Sequence, residues 1–334
     1  MSYMKTYKDN LFYNKLALAP MEDVTESPFR LICKKLGADL VYSEFISSEA
    51  LIRTAQKAYA KMFYRDKERP IGIQIFGGKV EVMAEATKIA ESFNPDFIDI
   101  NCGCWVKNVA LRCAGAGLLR DLVTMKNIAE TVVKSTSLPV TLKTRLGWDE
   151  KSVVILEVAK MCEDIGIRAL TVHCRYRNQA NKGFADWSWI KRIKDAGIKI
   201  PIILNGNIHK PEDVKTAFQE YEADSVMIGQ EAINNPWIFR QSKFYLKNGY
   251  YEPEPTIYER VDMCLEHLKL AIELKGEKYG VIEFRKHFAG YLRNLPNISK
   301  FRLELMQFKE FEPIKEKLLY LKEHYFEIFE ERYS

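Results

Sequence analysis

The chain has 334 residues, of which 47% are hydrophobic and 28% are charged, and its formal net charge is +5. This composition is that of a folded globular protein and excludes a largely disordered chain. The mildly basic charge is compatible with a nucleic-acid partner and equally with a metabolic enzyme, so it does not choose between these classes.

Short apolar runs alternate with helical patterns from residue 16 to residue 245. The runs are continuous and often β-branched, which is typical of parallel strands that are covered on both faces. We predict strands at 16–19, 40–42, 71–76, 97–100, 140–142, 170–172, 202–204 and 225–228. We predict intervening helices at 80–93, 125–135, 151–165 and 211–220. Eight such units predict a closed (β/α)8 TIM barrel rather than an open doubly wound sheet.

The pattern changes beyond residue 245. Residues 248–256 contain glycine, two prolines and acidic residues, as a linker does. Amphipathic helical patterns follow, and they predict a small C-terminal all-α helical domain. The predicted helices are 257–274, 281–292 and 313–331. We therefore divide the chain into a barrel, 1–245, and a helical domain, 256–334.

We expect neither a membrane span nor a signal peptide. No run of about 18 apolar residues occurs, so we expect no membrane span. Residues 1–15 lack the apolar core of a signal peptide. The seven cysteines are scattered and odd in number, which favours reduced thiols over a disulfide framework. We expect a cytoplasmic monomer.

Barrel active sites lie at the carboxyl ends of the strands. The residues in or just after the ends of the predicted strands form a strongly polar and reactive set: Met21, Glu22 and Asp23; Ser43 and Glu44; Gln74; Asn101 and Cys104; Lys143 and Arg145; His173 and Arg175; Asn205, Gly206 and Asn207; Gly229 and Gln230. This set favours an enzyme with its site at the barrel mouth, and we also assign Glu22, Asp23 and Gln230 to cofactor binding.

The loops after the seventh and eighth strands carry Asn205-Gly206-Asn207 and Gly229-Gln230. These loops commonly bind phosphate, and glycine lets the backbone approach it closely. Either loop alone could be an ordinary turn, but the two together favour a phosphate site. A phosphate-bearing cofactor would then lie across the mouth. His173 would contact this cofactor, Gln74 could bond its ring edge, and Lys143 could place positive charge near a ring that gains electrons.

Cys104 ends the segment 99–104, at the fourth strand. An unperturbed thiol is mostly protonated at pH 7, so it can act as a general acid. The alternative is a small buried hydrophobe, which is our reading of Cys33, Cys162 and Cys264 within helical patterns. A metal site made from Cys102, Cys104 and Cys113 is disfavoured, because the spacing is wrong and a fourth ligand is missing. We expect no metal.

Two basic regions lie outside the predicted cofactor site. Arg175 and Arg177 follow the sixth strand, and they could bind RNA phosphates or form a solvated basic loop. Residues 284–303 contain no carboxylate but several basic side chains, including Arg285, Lys286 and His287, with aromatics between them. Such a tract can follow a phosphate backbone, although a solvated helix face explains it equally well.

The chain resembles the bacterial tRNA-dihydrouridine synthases, the Dus family. The motifs that carry this resemblance occur in family order at 19–25 with 27–30; 73–75; 99–104; 109 with 114–119; 141–145; 172–177 with 183 and 185–187; 204–207; 228–229; 235–239; and 285–287. The helical tail matches in character more than in detail.

The resemblance implies that FMN is the cofactor, that NADPH is the reductant, and that tRNA is the partner. It implies reduction of specific uridines to 5,6-dihydrouridine, with hydride passing from FMN to C6 and a proton passing from Cys104 to C5. The segment 285–287 would face the RNA. The positions implied for FMN are Met21, Gln74, Lys143, His173, Asn205, Gly206, Asn207 and Gly229.

The sequence departs from the family pattern at two positions. Trp105 stands where the family has proline after the catalytic cysteine, so the shape of this loop differs. Gln230 stands where the family has arginine after the last strand's glycine, so a fixed positive charge near the phosphate is lost.

Three other functions are compatible with parts of the sequence. A flavin barrel enzyme could act on a free pyrimidine or another small molecule. A Schiff-base aldolase could use Lys143 and would need no flavin. A non-catalytic RNA-binding protein would need neither flavin nor NADPH. The substrate, the colour of the purified protein and NADPH oxidation separate these alternatives.

Overall fold

The computed structural model describes residues 11–106, 113–296 and 298–330, with side chains up to residue 325. Its strands form one parallel sheet, in which β2 and β3 both pair with β4 and share the second of eight positions. A bridge from Ala17 to Leu40 closes the barrel. The strands are β1 Leu16–Leu18, β2 Val41–Tyr42, β3 Ile46–Ser47, β4 Ile71–Phe76, β5 Phe97–Cys102, β6 Val140–Arg145, β7 Ala169–His173, β8 Ile202–Asn205 and β9 Ser225–Ile228.

Helices surround the barrel and continue into a helical tail. The barrel helices are α1 Ser27–Lys35, α2 Ser48–Ile52, α3 Gln56–Lys61, α4 Val80–Ser92, α5 Leu122–Lys134, α6 Ile155–Asp164, α7 Ser188–Asp195, α8 Pro211–Gln219, α9 Gln230–Asn234 and α10 Ile238–Asn248. The tail helices are α11 Ile257–Lys275, α12 Glu277–Phe284, α13 Phe288–Tyr291, α14 Ile298–Leu305 and α15 Phe311–Glu330. The predicted fold, a (β/α)8 barrel followed by a helical region, is confirmed.

The inward side chains of the barrel change from apolar to polar along its axis. At the amino-terminal end, Phe97 packs edge-on against Phe12 and Tyr42. The next inward position on β5 is Asp99, which accepts hydrogen bonds from Gln74 and Thr141 on the flanking strands. One end of the barrel is therefore filled by rings, and the polar end is left open for a site.

The tail packs directly on the barrel. Ile32, Leu36 and Trp237 of the barrel belong to the same buried cluster as the inner faces of α11, α12 and α13. Gly290 in α13 lies so close to α9 that a Cβ would fall 2.1 Å from the carbonyl oxygen of Ile233. Since α10 runs to Asn248, the barrel helices pass the predicted boundary at 245. The division into two domains stays a prediction.

The described helices include none that is both long and apolar enough to cross a membrane. In the same residues, no group of three or more His, Cys, Asp or Glu side chains is arranged to hold a metal ion.

Candidate active site

A cavity of about 540 Å³ opens at the carboxyl ends of the strands. Most of the residues predicted from the strand ends meet on its wall: Met21, Glu22, Cys104, Lys143, Arg145, His173, Arg175, Asn205, Gly206, Asn207, Gly229 and Gln230. The wall also includes residues for which no role was predicted: Phe45, Trp105, Asn181, His209 and Glu231. A volume of this size is typical of cofactor and substrate pockets.

Cys104 lies on this wall in a loop that is held by hydrogen bonds. The side-chain oxygen of Asn101 accepts from the backbone N–H groups of Gly103 and Cys104, each at 3.0 Å. Arg145 donates to the carbonyl oxygen of Gly103 at 2.9 Å. Burial raises the pKa of the Cys104 thiol, and the nearby Arg145 charge offsets only part of this effect. The thiol therefore keeps its proton at neutral pH.

Lys143 brings a partly buried positive charge to the cavity. Its Nζ donates to the Asn205 side-chain oxygen at 3.0 Å, and Asn205 in turn donates to the Met227 carbonyl at 2.8 Å. Burial, together with repulsion from Arg145, lowers the pKa of Lys143 to about 8. At pH 7 the ammonium form still predominates, so the site holds a cation that can lose its proton just above neutral pH.

His173, Arg175 and Asn207 form one network at the other side of the cavity. Arg175 donates to the Asn207 side-chain oxygen at 2.5 Å and lies 2.9 Å from Nε2 of His173. Burial, with repulsion from Arg145 and Lys143, holds the pKa of His173 well below its usual value. The ring is therefore neutral, and its Nε2 accepts from the guanidinium, which can only donate.

Gly206 allows the chain to pass close to this network. Its φ is +113°, and a Cβ there would lie 2.9 Å from the ring of His173. A larger residue would be strained by its backbone conformation and would clash with the ring. The glycine predicted to admit a phosphate is therefore required at least for the packing of His173.

Two predicted cofactor residues do not lie on the cavity wall. The side chain of Gln74 is fully buried beneath the cavity, where it donates to Asp99 at 2.5 Å and accepts from Asn101 at 2.9 Å. Gln74 therefore supports the residue that holds the Cys104 loop, and its contact with a flavin ring stays a prediction. Asp23 is exposed outside the cavity, and its carbonyl oxygen accepts a hydrogen bond from Lys286.

Two of the residues predicted to bind RNA are buried in the structure. Arg175 is 93% buried because it turns into the cavity to bind Asn207. His287 is 96% buried, and its ring packs 4.6 Å from that of His267 and 4.9 Å from that of Phe29. His287 therefore presents no surface to RNA, whereas Arg175 can be reached only through the cavity that it lines.

The other three predicted RNA residues retain some exposure. Lys286 is exposed, whereas Arg285 is half-buried and donates to the Phe308 carbonyl at 2.9 Å. Arg177 is half-buried and stacks on the ring of Trp148 at 4.5 Å. The basic tract is thus split between the surface and the core of the tail.

The buried histidine pair makes the stability of the protein sensitive to acid. Burial lowers the pKa of His287 to about 3 and also lowers that of His267, so the unfolded chain binds more protons below about pH 6.5. We expect unfolding free energy to fall by about 1.4 kcal/mol per pH unit for each histidine as the pH drops below about 6. Denaturant titrations of wild type and His287→Phe from pH 7 to pH 4 test this, and the variant should lose part of the slope. An equal slope in both proteins would contradict the assignment.

Three cysteines predicted to be small buried hydrophobes are confirmed as buried. Cys33, Cys162 and Cys264 lie within helices and have no exposed surface. Burial raises the pKa of each thiol, so none has thiolate character. Cys104 differs from these three because it borders a cavity.

One contact between the tail and the cavity could not be predicted from the sequence. Arg293, which follows α13, donates to the carboxylate of Glu231 at 2.8 Å, and Glu231 lies on the cavity wall beside Gln230. The two residues are 62 positions apart, and neither belongs to a recognisable motif. Only the packing of α13 on α9 brings them together.

Solved structures of low sequence identity share the barrel. The crystal structure of TcOYE with pHBA is 12% identical, has a TM-score of 0.53, and matches 72% of this chain and 91% of that chain. A 2-naphthoyl-CoA reductase complex is also 12% identical, with a TM-score of 0.51 over 71% of this chain and 50% of that chain. These similarities concern the fold alone.

Sequence comparisons identify the family. A "Probable tRNA-dihydrouridine synthase" of Rickettsia bellii is 39% identical over 290 residues, which cover 86% of this chain and 89% of the relative. The tRNA-dihydrouridine synthase B of Pseudomonas aeruginosa is 37% identical over 297 residues, or 89% of each chain. The family model of dihydrouridine synthase (Dus) matches residues 17–327. The chain therefore belongs to the dihydrouridine synthase family.

Proposed function

We propose that this protein reduces specific uridines in tRNA to 5,6-dihydrouridine, with FMN in the barrel cavity and NADPH as the reductant. The observation that carries this proposal is that Cys104, whose thiol pKa is raised by burial, faces one cavity together with Lys143 and two glycine loops. Family membership and the names of the relatives support tRNA as the substrate. A tRNA substrate is consistent with a cytoplasmic protein.

The residues of the cavity fit a phosphate-bearing flavin. Its cations are Lys143, Arg145 and Arg175, whereas its two carboxylates, Glu22 and Glu231, are paired with Lys61 and Arg293. The wall is therefore positive on balance, as a dianionic phosphate requires. The loops after β8 and β9 would hold the phosphate, and Lys143 would place its positive charge near the flavin ring that gains electrons.

FMN, when bound, would supply the hydride that passes from NADPH to C6 of the uracil. Cys104 would give its proton from Sγ to C5, so that hydride and proton together add two hydrogens across the double bond. Asn101 and Arg145 would hold the thiol in place through the backbone of residues 103 and 104. The uridine must leave the base stack to reach the thiol, at a cost of about a few kcal/mol.

The exposed part of the basic tract would guide the RNA to the cavity. Lys286 donates to the Asp23 carbonyl, next to the loop that follows β1, so the tail and the barrel mouth share one edge. A phosphate backbone that runs along this edge would place a flipped base over the opening. Lys286 and the half-buried Arg285 are the residues of the tract that we assign to this contact.

The experiment that tests this function compares RNA with free nucleosides. The purified protein is incubated with FMN, NADPH and either unmodified tRNA or free uridine, and dihydrouridine is measured by mass spectrometry. Product from tRNA alone would support the proposal. Product from free uridine at an equal rate would favour a small-molecule flavin reductase. A colourless protein that binds tRNA without oxidising NADPH would overturn the enzymatic function, and a borohydride-trapped adduct at Lys143 would favour an aldolase.

Gln230 offers a direct test of where the phosphate lies. Since Gln230 lines the cavity and follows Gly229, Gln230→Arg should add a positive charge beside the phosphate. We expect FMN to bind about fivefold more tightly, as one partly exposed ion pair would give. The affinity of riboflavin, which lacks the phosphate, should not change. Flavin fluorescence measures both affinities, and equal tightening for both flavins would contradict this placement.

A further inference from the structure

Two arginines are stacked on one tryptophan beside the cavity. The guanidinium carbon of Arg177 lies 4.5 Å from the centroid of the Trp148 ring, and that of Arg120 lies 4.9 Å from it. The three residues follow β5, β6 and β7 and therefore lie on the same face of the barrel as the cavity. We call them the Arg–Trp–Arg stack.

The charge of this stack is not neutralised by the described part of the chain. Neither arginine forms an ion pair with a carboxylate there, and Nε of Arg177 is buried without a hydrogen-bond partner. By contrast, Arg69, which is stacked on Tyr64, pairs with Asp66 and Asp96. Two like charges on one ring repel each other, so the arrangement is best satisfied by an external anion.

One buried residue, Arg145, connects the Arg–Trp–Arg stack to the Cys104 loop. The backbone of Arg177 donates to Gly147, and Arg145 donates to the carbonyl of Tyr176 at 3.2 Å. The same guanidinium of Arg145 donates to Gly103, next to Cys104. The stack therefore lies on the Cys104 side of the opening, where an RNA strand with a flipped base would continue.

We propose that the Arg–Trp–Arg stack binds a phosphodiester group of the RNA strand next to the target uridine. The inference rests on the proposed function, and it adds Arg120 and Trp148 as part of the RNA surface. A guanidinium positioned over an indole ring can keep its two terminal NH2 groups free, and these groups match two phosphate oxygens. The indole fixes both guanidinium groups and so reduces the entropy that phosphate binding would cost.

The test uses Arg120→Gln, Arg177→Gln and the double variant, all as full-length protein with FMN. The matched control is Arg192→Gln, because Arg192 stacks on Trp189 at the same 4.5 Å distance but lies on the outer helix α7. We expect each single variant to raise the KM for tRNA about fivefold with little change in kcat, as loss of one exposed phosphate contact implies. The control should behave as wild type.

Salt dependence distinguishes a phosphate contact from a general effect. The Kd for tRNA, measured by fluorescence anisotropy at several salt concentrations, should lose about 0.7–0.9 from its log–log slope for each arginine removed. Arg177→Lys keeps the positive charge but lacks the planar guanidinium that can bind two phosphate oxygens. This variant should therefore keep most of the salt dependence of tRNA binding while binding tRNA more weakly.

Three results would overturn the inference: variants indistinguishable from Arg192→Gln, an unchanged salt slope, or a raised KM for NADPH in place of tRNA. The last result would assign the stack to the phosphates of the reductant. Failure of the proposed function would look different, because wild type would then make no dihydrouridine. The anisotropy measurement would still test the stack in that case.

Discussion

Cys104→Ala should lower dihydrouridine formation by about 10²- to 10⁴-fold, the usual contribution of a positioned general acid. The substitution removes the proton source and leaves the backbone hydrogen bonds of residues 103 and 104 in place, because these bonds use N–H and C=O groups. FMN content and NADPH oxidation should stay near the wild-type values. Single-turnover formation of dihydrouridine in tRNA by the pre-reduced enzyme measures the effect on the proton-transfer step.

Cys113→Ala is the matched control for this experiment. Cys113 is an exposed cysteine that comes after Cys104 in the chain, and we assign it no role. It should react as wild type. Cys104→Ser adds a second comparison, because a hydroxyl has a much higher pKa than a thiol and so gives up its proton less readily. A Cys104→Ala enzyme with near-normal product formation would remove this residue from the mechanism.

Lys143→Met should lower the rate of the reductive step by about 10²-fold, because it removes the only lysine among the residues that line the described cavity. The methionine preserves most of the volume, and Asn205 keeps its second hydrogen bond, to the Met227 carbonyl. Stopped-flow reduction of the bound flavin by NADPH measures this rate. Lys194→Met is the control, since Lys194 pairs with Asp224 outside the cavity wall.

The dependence of the same rate on pH tests the charge itself. Lys143 acts in its protonated form and its pKa is about 8, so activity should be highest below this value and fall as the pH rises through it. Negative charge on a bound cofactor would raise this pKa, which puts the fall at or above pH 8. Lys143→Arg should move the fall to higher pH, because arginine keeps its proton. If the rate of Lys143→Arg depended on pH as that of wild type does, another group would be responsible for the loss of activity at high pH.

The barrel could be predicted from the sequence because its strands are marked by apolar, often β-branched runs. β4 and β9 begin and end at the predicted residues. β5 and β6 extend two and three residues beyond the prediction, through Asn101–Cys102 and Lys143–Arg145. We ended these predicted strands where polar residues follow, but the hydrogen bonds between neighbouring strands continue beyond that point. Asn101, Lys143 and Arg145 are polar because they face the cavity.

The short elements after β2 were missed for a different reason. β3, α2 and α3 are two, five and six residues long, too short to show a period. Their positions depend on tertiary contacts, such as the pairing of Ile46 with Ile75. α14 was missed as well, since most of its eight residues fall within the basic tract that we interpreted by its charge.

The individual site residues show where sequence reasoning stops. Arg175 and Arg177 are two positions apart and look equivalent, yet Arg175 turns into the cavity and Arg177 stacks on Trp148. Residues 285–287 form one turn of 3₁₀ helix, so their three side chains point in different directions and cannot all face solvent. The sequence indicates which residues are basic, and only packing decides which of them remain accessible.

The shared cluster of Ile32, Leu36 and Trp237 with the tail limits how this protein can be shortened. A fragment that stops after α10 would leave an indole and two aliphatic side chains in water, and such a surface promotes self-association. Engineering a minimal catalytic unit would therefore require polar replacements at these three positions. Exchange of the tail between relatives would likewise have to carry the matching barrel residues with it.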